Sequence, residues 1–135
     1  MTTIHEALIY LMVVVSASDR DMSDQELAKI GSAVRTLPIF EGFDPEDVLP
    51  VARECQQLVQ GENGLGAVMS IVRDVLPERL HDTAYALAVE VVAADRRESI
   101  EEMRVLQLLR NALGLDSDTA QAIQLAARAR HRRIV

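Results

Sequence analysis

Aromatic side chains make up 3% of this 135-residue chain, and tryptophan is absent. With β-branched residues seldom alternating with polar ones, that scarcity leaves little material for a sheet-based core. There is one cysteine, Cys55. It excludes an internal disulfide and a thiolate-built zinc site, and it fits a reducing compartment. Basic residues are outnumbered, 14 against 21 acidic, for a net charge of −7. That balance argues against nucleic acid as the main partner. No apolar run reaches the ~18 residues of a membrane span. The longest candidate, residues 7–17, is flanked by His5 and Glu6 on one side and Asp19, Arg20 and Asp21 on the other. Lacking a cationic start, it does not read as a secretion signal. The expectation is one cytoplasmic domain over 1–135 with no integral membrane segment, since 49% apolar residues over this length can build a core without staples.

What the chain does have is apolar residues every three or four positions, the period of helix. Ile4, Leu8, Leu11 and Val15 form one stripe; Leu27, Ile30, Val34 and Leu37 form another. Helix starts are punctuated. Asp44-Pro45-Glu46 offers an N-cap, a first-turn proline and an acid, and Pro77-Glu78 opens similarly. Ser23 with Glu26, and Ser99 with Glu102, have the spacing of capping boxes. Gly42, Gly61 and Gly114 stand where helices should stop. The pattern predicts an all-α fold of about seven helices, near 3–18, 23–37, 45–60, 65–76, 78–94, 99–113 and 117–130.

A shift of 76 residues superposes the chain on itself. It places His5 on His81, Leu11 on Leu87, Asp19 on Asp95, Arg20 on Arg96, Ser23 on Ser99 and Glu26 on Glu102. With a four-residue difference in loop length, Gly42 and Asp44 fall on Gly114 and Asp116. The expected organisation is two pseudo-symmetric three-helix units, about 3–60 and 78–130, joined by a linking helix. Polar matches concentrate at one turn in each unit, DRDMSDQE (19–26) and DRRESIEE (95–102). Each octapeptide holds four acids.

Glu26 and Glu102 have a simple reading as helix caps. Asp19 and Asp95 do not, because each follows a long apolar helix whose negative dipole end disfavours an anion by ~0.3–1 kcal/mol. Arg20 and Arg96 could compensate as neighbouring cations; a divalent cation held between the helix ends is the alternative. With no histidine or cysteine in either turn, oxygen-preferring calcium, magnesium or manganese suits the residues better than zinc or copper.

The segments VVVSASDRDMSDQE and VEVVAADRRESIEE share a pattern: apolar helix, alanine, aspartate, then glutamate seven residues on. In this the chain resembles the tellurite-resistance TerB-like family over essentially its whole length. The resemblance implies an all-helical, two-unit, non-enzymatic domain of a tellurite- or stress-response system. It further implies divalent-metal ligands at Asp19, Glu26, Asp95 and Glu102, with Asp21 as an extra acid in the first turn. Arg20 and Arg96 stand where members usually carry glycine, and Glu98 where an apolar residue is usual. The competing reading is a metal-free helical interaction module with an unidentified protein partner, its acidic turns serving only as caps.

Other constellations carry less. The turn at Asp19, Asp21 and Ser23 is no EF-hand, since Asp24 and Ile30 stand where glycine and glutamate are required. Glu78 and His81 have half the spacing of a di-iron motif without its other half. His5 and His81, fourteen residues before the aspartates, are expected in packing or surface roles. Residues 61–66 read as a flexible connector. Cys55 reads as a core residue, and Glu90, interrupting an apolar helix, as an edge position reaching solvent. No nucleophile motif or phosphate-binding loop appears. Arg128, Arg130, Arg132 and Arg133 with His131 form a basic tail; the preceding body has 10 basic against 21 acidic side chains.

Overall fold

The computed structural model describes residues 2–16, 24–94 and 100–134. Among these the chain is all-helical, in seven α-helices: α1 (Ile4–Ser16), α2 (Asp24–Thr36), α3 (Val48–Gln60), α4 (Gly64–Val75), α5 (His81–Ala94), α6 (Ile100–Leu113) and α7 (Ser117–Arg130). Three short 3-10 turns, Pro38–Phe40, Pro45–Asp47 and Glu78–Leu80, supplement them.

The residues of α1 dictate its place. From Ala7 to Ser16 every side chain is buried. A helix apolar on all faces has no stripe to turn toward water, so it must be enclosed. Here α3, α4, α5 and α6 surround it. Its buried serine returns its hydroxyl to the Val13 carbonyl at 3.1 Å, which removes the cost of an unsatisfied polar group. Emptying the Leu11 site by substitution to alanine would cost on the order of 2–5 kcal/mol. The second central helix is α5, which packs on α1, α2, α6 and α7. Helix α2 leans far more on α5 than on its sequence neighbour α1.

Two helix starts differ from expectation. The segment beginning at Pro45 opens as a 3-10 turn, with Asp44 capping the Glu46 amide at 2.9 Å, and regular α-helix begins only at Val48. Pro50 explains the delay. It has no N–H, so it is tolerated only in a first turn, where no intrahelical partner is needed. Likewise Glu78–Leu80 is a 3-10 turn, and α5 begins at His81.

Chain reversals follow the glycines at two sites and not at a third. Gly114 takes φ +65°, and the amides of Gly114 and Leu115 bond back to Asn111 and Arg110, a Schellman closure of α6. Gly42 takes φ +87°. Gly61 ends α3 at an ordinary φ of −74°, and Asn63 adopts the left-handed conformation instead. The expected 61–66 connector is therefore shorter, because Gly64 already opens α4. A β-carbon on Gly64 would lie 2.1 Å from the Val59 carbonyl oxygen, so only glycine permits this approach of α4 to α3.

The two sequence-matched histidines brace the ends of helices. His5 Nε2 meets the Ile39 carbonyl at 2.9 Å, and its ring stacks on Phe40 and meets Phe43 edge-on. His81 places Nδ1 2.9 Å from the Leu113 carbonyl and Nε2 3.1 Å from that of Leu76. One ring thus ties the end of α4 and the end of α6 to the start of α5. Replacing His81 by alanine is expected to lower unfolding stability by about 1–3 kcal/mol, since a part-buried carbonyl loses its donor and the ring's packing between the helix ends is lost. Urea unfolding of H81A checks this; an unchanged midpoint would make the ring dispensable.

Candidate functional site

Of the acidic turns, the described residues include the starts of α2 and α6. Within each start, one carboxylate is treated differently from its neighbours. Asp24 and Gln25 are exposed, and so are Ile100 and Glu101. Glu26 and Glu102, each third in its helix, are 2% exposed. The helical repeat produces this: Glu26 lies one turn before Ile30, and Glu102 one turn before Val105 and Leu106, all buried. The glutamates therefore continue the inward stripe. Each makes a polar or electrostatic contact. Burying a carboxylate is costly unless hydrogen bonds, a cation or a metal compensates it. A helix-cap hydrogen bond and a bound cation are both compensations of this kind.

Asp19, Asp21 and Asp95, the remaining expected ligands, lie outside the described residues. Among the described residues, no group of three or more histidine, cysteine, aspartate or glutamate side chains comes together. The other candidates resolve into structural roles. His81 is occupied by two carbonyls, which leaves Glu78 without a metal-binding partner there. Cys55 is fully buried with its thiol on the Tyr10 carbonyl at 3.5 Å; burial pushes its pKa up to about 12, so it is no nucleophile. Tyr10 is likewise raised to about 12, by burial and then by its hydrogen bond to Glu54.

The expectation for Glu90 is corrected. Its side chain is 17% exposed and forms the centre of a cation cluster rather than an edge group in solvent. Lys29 of α2 lies 3.3 Å away, Arg130 at the end of α7 pairs with the other oxygen, and His131 Nε2 is 2.8 Å from Oε2. Three elements distant in sequence meet on one carboxylate. A basic tail able to fold back on the acidic body was legible in the sequence, but a helical stripe reveals which face points inward and not which helix it will meet, so Glu90 was not identified as the tail's partner. The only hint is that glutamate stands here in an otherwise apolar run.

His131 is held below the ordinary imidazole value of 6.5, first by burial, then by the charges of Lys29 and Arg130. The nearby Glu90 does not reverse this, because two permanent cations already neutralise it. The neutral ring therefore donates from Nε2. A lowered folded-state value means that protons bind the unfolded chain more readily, so the contribution of His131 is present above about pH 6.5 and is lost as pH falls.

The geometry defines an all-helical domain with one buried carboxylate at each of two matched helix starts. The family model described as "Tellurite resistance protein TerB" matches residues 5–125. The chain belongs to the TerB tellurite-resistance family. It matches no curated protein and no solved structure significantly.

Two outcomes are expected at the cation cluster. Glu90→Gln should cost about 1–2 kcal/mol, the loss of charge-assisted bonds discounted for partial exposure. His131→Gln should flatten the decline in stability between pH ~7.5 and ~5.5. Urea titrations of each variant at both pH values read these effects. A wild-type-like midpoint for E90Q would show the cluster to be energetically idle.

Proposed function

We propose that this TerB domain is a non-enzymatic, cytoplasmic divalent-cation-binding component of a tellurite- or stress-response system. The ligands are Asp19 and Glu26 from one turn and Asp95 and Glu102 from the other, with Asp21 as an additional acid. Family membership supports the setting. The observation that carries the cation is the burial of Glu26 and Glu102 at matched positions, each 2% exposed. Two inward carboxylates, each seven residues after an aspartate, favour a hard cation with oxygen ligands, so calcium, magnesium or manganese. Each turn could serve its own ion or both could share one. No catalytic step is assigned: the described residues hold no activated nucleophile, and the two groups with strongly raised values, Tyr10 and Cys55, are locked in packing. No helix among them is long and apolar enough to cross a membrane.

Thermal unfolding of EDTA-stripped protein with added calcium, magnesium or manganese tests the proposal. At a free ion concentration 100 times Kd, binding adds ~2.7 kcal/mol and raises the midpoint by several degrees. The Asp19→Ala/Asp95→Ala double variant and Glu26→Gln/Glu102→Gln should lose that rise, while Lys29→Ala keeps it. No rise with any ion, or a rise undiminished in the Asp19/Asp95 double variant, refutes the site. In the former case the acids are helix caps, and the domain is a metal-free interaction module.

A further inference from the structure

Where α5, α6 and α7 meet, the surface opens into a cavity of about 310 Å3. Its floor is apolar, with Val92 and Leu106 buried and the half-exposed Met103 at the lip. Its other side is cationic: Arg128, in the last turn of α7, and Arg132, just beyond it, stand with His131 between them. Among the described residues, no acidic side chain lines the cavity. Arg128 and Arg132 make no ion pair among the described residues.

A neighbouring groove provides the contrast. Between α2 and α5 lies a space of about 420 Å3 that also borders on two cations, Lys29 and Arg130. There Glu90 lines the groove and pairs with both, which offsets one of the two positive charges. Beside the α5–α6–α7 cavity, Glu90 is engaged by Lys29, Arg130 and His131, and among the described residues it makes no ion pair with Arg128 or Arg132. In a chain of net charge −7 this is a local inversion of sign beside a dry surface. His131, anchored by Glu90, keeps the cationic wall in place.

We infer that this cavity binds a single-headed anionic amphiphile, a medium-chain carboxylate, with its alkyl chain on Val92, Leu106 and Met103 and its head on Arg128 and Arg132. The fit rests on three features. The volume and apolar lining are those of a small-molecule site with a few placed polar groups. At ~30 Å3 per water-sized group, the space holds on the order of ten methylene-sized units. The guanidinium forks match a carboxylate in bidentate fashion.

The test is calorimetric titration of the full chain with decanoate, below its micelle concentration and in EDTA so that the proposed cation site has no part in it. One decanoate should bind per chain. Affinity should rise about fourfold for each methylene from hexanoate to decanoate. Decyltrimethylammonium should bind at least about tenfold more weakly, because the head charge is reversed. The Arg128→Glu/Arg132→Glu variant should lose about tenfold or more, and Arg73→Glu on α4 nothing. Met103→Glu, a second exposed change, should repel the ligand even if the double variant is poorly folded. Equal binding of the cationic and anionic amphiphiles, or full binding by R128E/R132E and M103E, overturns the inference. Binding of phosphatidylglycerol vesicles or of an alternating leucine–glutamate peptide without binding of decanoate also overturns it, and assigns the surface to a membrane or a polypeptide.

Discussion

The burial of α1 on every side is the constraint from which the architecture follows. Ten consecutive side chains, Ala7 to Ser16, have no contact with water to preserve, so helices must be supplied around the whole circumference. Sequence neighbours cannot do this alone. Helix α2 contributes little to covering α1 and packs instead on α5, while α6, from the far end of the chain, comes back to α1. Covering one apolar helix thus forces the two similar stretches of sequence to interleave. It also brings Lys29, Glu90 and Arg130 within reach of one another.

That interleaving changes what the acidic turns can be. Were each hairpin a free-standing surface feature, Glu26 and Glu102 would be solvated caps. Instead the helices they begin are drawn against the core, and their inward stripe carries the carboxylates with it. Interior charge is tolerated only when compensated, so the same packing that stabilises the fold requires each of these carboxylates to keep its polar contact. One turn beyond Glu26, Lys29 reaches across to Glu90 of α5 at 3.3 Å.

Legibility in the sequence tracked the range of the interaction responsible. All seven helices were readable, because apolar periodicity and caps are local; Asp116 caps the Thr119 amide and Gly114 closes α6 as their spacing implied. The starts at Pro45 and Glu78 were misplaced because a proline signals the first helical turn without saying whether that turn is α or 3-10. In the first case Pro50, five residues downstream, decides. The capping-box spacing identified Glu26 and Glu102 but carried no information about exposure, which depends on how α2 and α6 sit on the core. Glu90 was least legible of all, since its partners lie 61 residues before it and 40 after it in the chain.

Glu90 also marks where the two similar stretches part company. Under the 76-residue shift it corresponds to Val14, and Lys29 corresponds to Val105. Val14 and Val105 are both buried and apolar, whereas Lys29 and Glu90 form a charged contact that admits the end of the chain. Arg130 and His131 fold down on Glu90, which ties the end of α7 to α5. The Val14/Glu90 and Lys29/Val105 differences thus distinguish one half chemically from the other: together they fix the basic end of an acidic molecule, with Arg128 and Arg132 beside an apolar cavity.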